Sequence, residues 1–344
     1  MTLRQPACPA HETPPEDFSG DAGYAYTNRG TAAHCDQSHR RSIVSIDKLE
    51  SLIKFADSNT AVRILTEQKL RWSSPDRFGD PFELSAKSGF NFDTHSLLDS
   101  TIKLASSMIF APEQPKGDSP LINAIRRWRE EERFNSPEEA HGVLRELLTK
   151  MVDYRQAQLD TAHAKWQEYV RKVRVCCFTA KPDNITAWEQ FGDHHQGVAI
   201  RFAIGEEPPF NSAKAVVYQT ERPQLTSLRE QLGAILHNRK DAVVERFKDH
   251  FFIKGNHRKL EQEWRCVIHS SQDVPVTHME PAEWYEDLSF PATQITAVFF
   301  GISTSDDVKS QVLKLIQERY PQAKAFQAAP GKIGYTIEIE KIKI

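Results

Sequence analysis

Ser58-Asn-Thr-Ala-Val-Arg-Ile-Leu-Thr-Glu-Gln-Lys-Leu-Arg-Trp-Ser-Ser-Pro75 changes its hydrophobic period halfway along. Its first half repeats as a helix whose orphan amide hydrogens Ser58 or Asn59 can accept. Lys69-Leu-Arg-Trp72 then alternates as a strand, and Ser73-Ser-Pro75 stops it. Just upstream, the apolar run from Ser45 to Phe55 ends in a short strand. The order strand, helix, strand, turn points to an α+β fold.

Outward from this unit the periods keep switching. Between about Thr94 and Lys172 apolar positions recur at three and four residues, as in Leu144, Leu147, Leu148, Met151 and Tyr154. This predicts a large helical insertion, interrupted by a loop from Pro112 to Pro120, that acts as a packed cover or a moving lid. Strand character returns at Val173 to Phe178, Gly197 to Phe202, Ala215 to Tyr218, Trp264 to Ile268, Ile295 to Phe300 and Tyr335 to Glu340. Helical stretches are expected at Ile185 to Phe191, Leu225 to Phe252 and Asp306 to Tyr320. The whole reads as a mixed, mainly antiparallel sheet core in a single domain from residue 43 to 344. Residues 1 to 42 carry too little periodic apolar surface to offset the cost of ordering, so they read as a flexible arm.

A chain of 344 residues can bury a substantial core without covalent staples. Its five cysteines, odd in number and with no amino-terminal apolar run, favour reduced thiols in the cytoplasm. No stretch approaches the roughly 18 apolar residues of a membrane span. A net charge of -3 argues against the global positive field of many nucleic-acid binders. Arg126-Arg-Trp-Arg129 runs straight into Glu130, Glu131 and Glu132, so it reads as a solvated helix face before a contact surface. Cys8, His11, Cys35 and His39 have spacings that zinc tolerates, but nothing between them would rigidify a site.

Three blocks place polar groups beside strand-like apolar residues. In Leu70-Arg-Trp-Ser-Ser-Pro-Asp-Arg-Phe-Gly-Asp-Pro-Phe-Glu83, a strand delivers Ser73 and Ser74 to a turn. Asp80 before Pro81 is set to bond the amides around it, as an Asx turn or as part of a binding loop. In the second block Cys177 and Thr179 bracket Phe178 at a strand end, and Trp188 follows as core packing or as an aromatic pocket wall. A Cys177–His195 nucleophile has no orienting third group. In Leu260-Glu-Gln-Glu-Trp-Arg265, an extended chain would put Glu261, Glu263 and Arg265 on one face. That is either a surface ion-pair row or a pair of carboxylates able to hold a sugar hydroxyl and steady positive charge at an anomeric carbon.

Taken together, the blocks resemble the bacterial domain-of-unknown-function family numbered twenty-nine seventy-one. Members show "L-R-F-S-S-P-x-x-F-N-D-P-F-E", then "C-F-S" followed by a Trp and "H-x-G", then "W-x-x-E-x-E-W-R". The matches here are Leu70 to Glu83, Cys177 to Thr179 with Trp188, His195 and Gly197, and Glu261 to Arg265, with Gly79 replacing Asn and Arg258 replacing the first Trp. The motif order is in turn similar to that of ADP-ribosyltransferases. That resemblance implies NAD as substrate and a transferase acting on a protein or nucleic acid, for instance as a toxin or phage-defence effector. It implies Glu263 as the catalytic carboxylate with Glu261 as its alternative, Thr179 as the middle hydroxyl, and Ser73, Ser74, Phe178, Trp188 and Arg265 as NAD-binding residues. It requires Ser73, Thr179, Trp188 and Glu263 to line one cleft. The opening motif, however, is reduced to Ile53-Lys-Phe-Ala56, where Lys54 is the one polar group. An inactive ligand-binding or interaction module on the same scaffold is the competing expectation. A metal-dependent hydrolase using Asp80, Glu261 and Glu263 lacks a defined ligand spacing.

Overall fold

The computed structural model describes residues 49–83, 89–206, 209–239, 242–270 and 281–343. The arm at 1–42 and its cysteines and histidines lie outside the described residues, and residues 48–344 form one compact unit. Its first elements are β1 (Ser51–Ala56), α1 (Ser58–Glu67) and β2 (Lys69–Ser73). Asp57, rather than Ser58 or Asn59, caps α1. Its backbone is extended while its carboxylate accepts the Thr60 amide hydrogen at 2.8 Å.

Three helices then form the insertion: α2 (Thr94–Phe110), α3 (Pro120–Glu130) and α4 (Pro137–Lys172). They bury Leu97, Ile102, Ile122, Ile125, Leu144 and Leu148 in a cluster apart from the sheet, which Ile235 and Leu236 complete. The loop between α2 and α3 is pinned by the basic run. Arg126 donates to the Pro115 and Gly117 carbonyls, and Arg129 to that of Met108. Only Arg127 makes the expected pair along the helix, with Glu131. The 36 residues of α4, about 54 Å at the usual rise, hand the chain to the sheet through Trp166 and Val170.

The sheet is completed by β3 (Val173–Thr179), the short helix α5 (Ile185–Gln190), β4 (Val198–Ala203), β5 (Lys214–Ala215) and, after a separate pair, later strands. The separate pair is β6 (Val217–Gln219) beside β7 (Ile253–Gly255), in parallel. The run Ala215 to Tyr218 is thus divided at buried Val216, one part joining the main sheet and the other the small one. Helix α6 (Leu228–His237) ends at Asn238, whose φ of 50° is left-handed. The expected long helix to Phe252 therefore stops early, and its end is a 3-10 turn over Phe247–Phe252.

The remaining elements are β8 (Glu263–His269), β9 (Tyr285–Ser289), β10 (Ile295–Phe300), α7 (Asp306–Arg319), β11 (Lys324–Pro330) and β12 (Ile337–Ile342). The main sheet runs β12-β11-β10-β4-β1-β3-β2-β9, with β8 paired to β3 and β5. Among the described residues, only β10 and β11 are parallel within it. The α+β, mainly antiparallel expectation therefore holds. Helices α1 and α7 seal one face over Leu52, Ile64, Val298 and Ile316, while Trp188, Phe55 and Phe299 close the other.

Two features make the sheet fit together. A Cβ on Gly197 would stand 2.1 Å from the Ala56 carbonyl oxygen, and one on Gly301 2.2 Å from that of His195, so both positions exclude any side chain. Helix α6 starts in a capping box of Ser227 and Glu230, and Arg246 bonds the same Glu230 carboxylate at 2.7 Å. That Arg246 bond is the main cause pulling the Glu230 pKa from 4.5 down to about 2. A carboxylate with a depressed folded-state pKa adds stability above its unfolded value and loses it as pH falls through the folded one. The expected result is that Glu230→Gln flattens the loss of stability between pH 4.5 and 2, read from urea midpoints against pH.

Candidate functional site

Among the described residues, strand β3 alone in the main sheet has three partners, because its two ends share one edge between different neighbours. On one side it runs residue for residue with β8, pairing Thr179 with Glu263 and Cys177 with Arg265. On the other, Val175 pairs with Ser73 of β2, whereas Thr179 pairs with Ile53 of β1. Thr179 consequently sits between the opening strand and the strand bearing Glu263. Alternation along β3 and β8 puts Cys177, Thr179, Glu263 and Arg265 on one face.

Glu261 does not belong to that strand. It ends a 3-10 turn over Asn256–Glu261, and Gln262, left-handed at φ 49°, separates it from β8. The two carboxylates still converge, by a turn of the chain rather than by strand alternation. Lys254, on β7, donates to Glu261 at 2.7 Å and to Glu263 at 2.8 Å. Arg265 donates through Nε to Glu263 at 2.6 Å, through Nη1 to the Phe251 carbonyl at 3.0 Å, and through Nη2 to Glu83. Arg258 lies 3.2 Å from Glu261 and from Asp80. The Glu263 amide donates to the Tyr218 hydroxyl at 2.8 Å.

These charges are buried, so the surface ion-pair row expected from sequence is corrected. Glu261 and Arg265 are each 1% exposed, Glu263 4% and Glu83 8%. Burying an ion costs several kcal/mol, which only close opposite charges and hydrogen bonds can return. Each carboxylate here has at least one cation within 4 Å. The Glu261 Oε1 atom receives no aligned hydrogen bond among the described residues, although Arg258 faces it. It is the one oxygen of the carboxylate pair left without a donor.

The cluster forms the wall between two cavities. A cleft of about 580 Å3 is lined by Asp80, Glu83, His194, Lys254, Glu261 and Glu263, among others. A slot of about 60 Å3 is lined by Lys54, Phe55, Phe178, Thr179, Phe191 and both carboxylates. Cys177, Phe191, Glu261 and Glu263 line both. Burial pushes the Glu263 carboxyl above its ordinary pKa, against the pull of Lys254. Burial also opposes the Lys54 charge, but the Cys176 and Cys177 sulfurs and the Glu263 carboxylate outweigh it and hold the ammonium above the usual lysine value. Its Nζ donates to the Cys177 carbonyl at 3.0 Å. Burial and then Glu263 drive the Cys177 thiol well up, which keeps it protonated at neutral pH. His195 packs against Trp188 instead, so no Cys177–His195 nucleophile forms.

The residues expected to share a cleft divide. Thr179, Phe178, Glu261, Glu263 and Arg265 line the cavities, whereas Ser73, Ser74 and Trp188 do not. Ser73 is held in register with Val175, four residues and roughly 13 Å along β3 from Thr179. Ser74 is fully buried, its amide bonded to the Trp284 carbonyl. Trp188 is fully buried on the closed face, edge-on to Phe55 at 4.9 Å, with its indole N–H on the Pro182 carbonyl. The requirement that Ser73 and Trp188 line the cleft with Thr179 and Glu263 therefore fails. Asp80 does form the expected Asx bond, to the Phe82 amide at 2.9 Å, and also pairs with Arg258. Lys254, Glu83 and Tyr218 were not singled out by sequence as site residues. Lys254 sat beside an apparent helix, and only Glu83, within the first block, had a signal to follow. No group of side chains able to hold a metal ion occurs among the described residues. Compared with known proteins, the chain matches no family model, no curated protein and no solved structure.

Proposed function

We propose that the carboxylate cluster is the active site of an ADP-ribosyltransferase-like enzyme that uses NAD as donor. The observation that carries this reading is the meeting of three strands at Thr179. Lys54 of β1, Thr179 of β3 and Glu263 of β8 line one slot. These are the opening-strand polar group, the middle hydroxyl and the late carboxylate of the motif order, with Lys54 in the place where the sequence had left a gap. In the proposed step the bond between the anomeric carbon and nicotinamide breaks, and nicotinamide leaves with the bonding pair as a neutral base. Positive charge develops on the ribose, where Glu263 accepts a hydroxyl hydrogen bond and lowers the barrier electrostatically. An acceptor on a macromolecule, or water, then bonds to the anomeric carbon and gives up a proton. Lys254 and Arg265 hold Glu263 in place, Lys254 pulling against the burial that favours its neutral form, and the aromatic rings of Phe55, Phe178 and Phe191 give the leaving ring an apolar wall.

One observation favours the inactive module instead. Both Glu263 oxygens are already engaged, Oε1 by Arg265 and Oε2 by Lys254, so a ribose hydroxyl must share them. Incubation with NAD separates the two readings. The transferase reading expects free nicotinamide to accumulate and Lys54→Met to suppress it at least about tenfold. Saturable NAD binding without nicotinamide release would leave the module.

A further inference from the structure

A third cavity, of about 400 Å3, adjoins the same charged wall, with Lys254 and Glu83 lining both it and the cleft. We infer that this cavity binds an unpaired nucleobase of a single-stranded nucleic acid. Its role as the acceptor side of the transfer rests on the function proposed above; its capacity to bind does not.

The size lies within the range of small-ligand pockets. Its walls are flat and apolar at Phe82, Pro223 and Ile253. Phe82 is 65% exposed and stands edge-on to His257, with ring centroids 6.2 Å apart. A large aromatic left open to solvent at a cavity rim is the platform on which bases stack regardless of sequence. The His257 ring lies over Gly255, where a Cβ would come within 2.6 Å of it, so the glycine allows the ring to sit there.

The polar lining suits base edges. The Gln219 amide donates one N–H to the Glu221 carbonyl, and that of Asn256 one to the Thr220 hydroxyl, both at 2.8 Å, which leaves each a second N–H for a base carbonyl or ring nitrogen. Each amide oxygen remains as an acceptor for the exocyclic amino group of a base. Arg222, also in the lining, is exposed and makes no ion pair among the described residues. A guanidinium so placed can take a backbone phosphate. A duplex keeps its base faces stacked, so the geometry selects unpaired strands.

The test is fluorescence anisotropy with labelled single strands of about ten nucleotides, as DNA and as RNA, and the matching duplex. At least one single strand is expected to bind saturably, and the duplex at least tenfold more weakly. The stronger arm identifies which nucleic acid is bound. Phe82→Ala should weaken binding by about five- to a hundredfold, the usual worth of one stacked base. Arg222→Ala should weaken it and lower the slope of log affinity against log salt by about 0.7. Thermal melting of both variants checks that these exposed substitutions leave the fold intact. Absence of saturable binding to either strand, equal binding of the duplex, or unchanged binding by folded Phe82→Ala each overturns the inference. Oligonucleotide binding without nicotinamide release would sink the chemistry and leave this site standing; nicotinamide release without oligonucleotide binding would do the reverse.

Discussion

Glu263→Gln is expected to reduce nicotinamide release from NAD by about a hundred- to a thousandfold while the protein stays folded. The magnitude follows from removing one preorganised electrostatic contact to the developing charge, worth roughly 2.7–4 kcal/mol in enclosed sites. The amide keeps the carboxylate's shape, and its one oxygen can still accept from Lys254 while its NH2 group then faces Arg265 Nε. It cannot, however, supply negative charge at the anomeric carbon. Glu261→Gln provides the contrast. Its Oε2 is held by Lys254, but Oε1 has no aligned donor, so this carboxylate can also face the ribose. A loss confined to Glu263→Gln identifies it as the catalytic carboxylate. A larger loss in Glu261→Gln would transfer that role, and equal, undiminished rates in both would remove the carboxylates from the chemistry.

The second large effect is on stability. Arg265→Ala should destabilise the protein by about 3–5 kcal/mol, because it leaves buried charges uncompensated. Arg265 touches Glu83, Glu263 and the Phe251 carbonyl, and it is 1% exposed, so its removal strips both carboxylates of their guanidinium. Replacing Arg265 together with its two carboxylate partners by apolar groups of similar volume would cost less, since no carboxylate loses its cation and Lys254 keeps Glu261 at 2.7 Å. The triple variant Glu83→Met, Glu263→Met, Arg265→Met is therefore expected to unfold at higher urea than Arg265→Ala alone. The opposite order would show that the ion pairs themselves, rather than the cost of breaking them, hold this part of the fold.

Much of the architecture was legible because local periodicity survives burial. The change from helix to strand between Ser58 and Pro75, the helical insertion, and the strands around Phe178, Ile200, Val267 and Val298 all follow from spacing alone. Strand β11 was not, since Lys324–Pro330 is rich in alanine and its burial depends on β10 and β12 on either side. The helix expected up to Phe252 dissolved because the left-handed Asn238 ends α6, while the apolar residues beyond it pack through a 3-10 turn.

The site was legible at its carboxylates and at Phe178, Thr179 and Arg265, all of which line the cavities. Glu261 and Glu263 stood out as a pair, but the expectation of a strand face missed the left-handed Gln262 between them. Lys254 had no motif around it, since what makes it a site residue is the pairing of β7 with β6, which brings it against β8. Ser73 and Ser74 were misplaced for the converse reason. Their turn chemistry was read correctly, yet the register of β2 on β3 carries them away from Thr179. Sequence proximity to a strand end does not say which partner strand that end will meet.

Lys54, Thr179 and Glu263 are proposed to meet the nicotinamide end of NAD, whose remainder takes the adjoining cleft of about 580 Å3, since the slot itself holds only about 60 Å3. A crystal structure of the protein soaked with NAD tests it most directly. The account predicts the nicotinamide ring against Phe55, Phe178 and Phe191, with a ribose hydroxyl within hydrogen-bond reach of Glu263 or Glu261. A dinucleotide bound elsewhere on the molecule, with the slot untouched at saturating NAD, would contradict it.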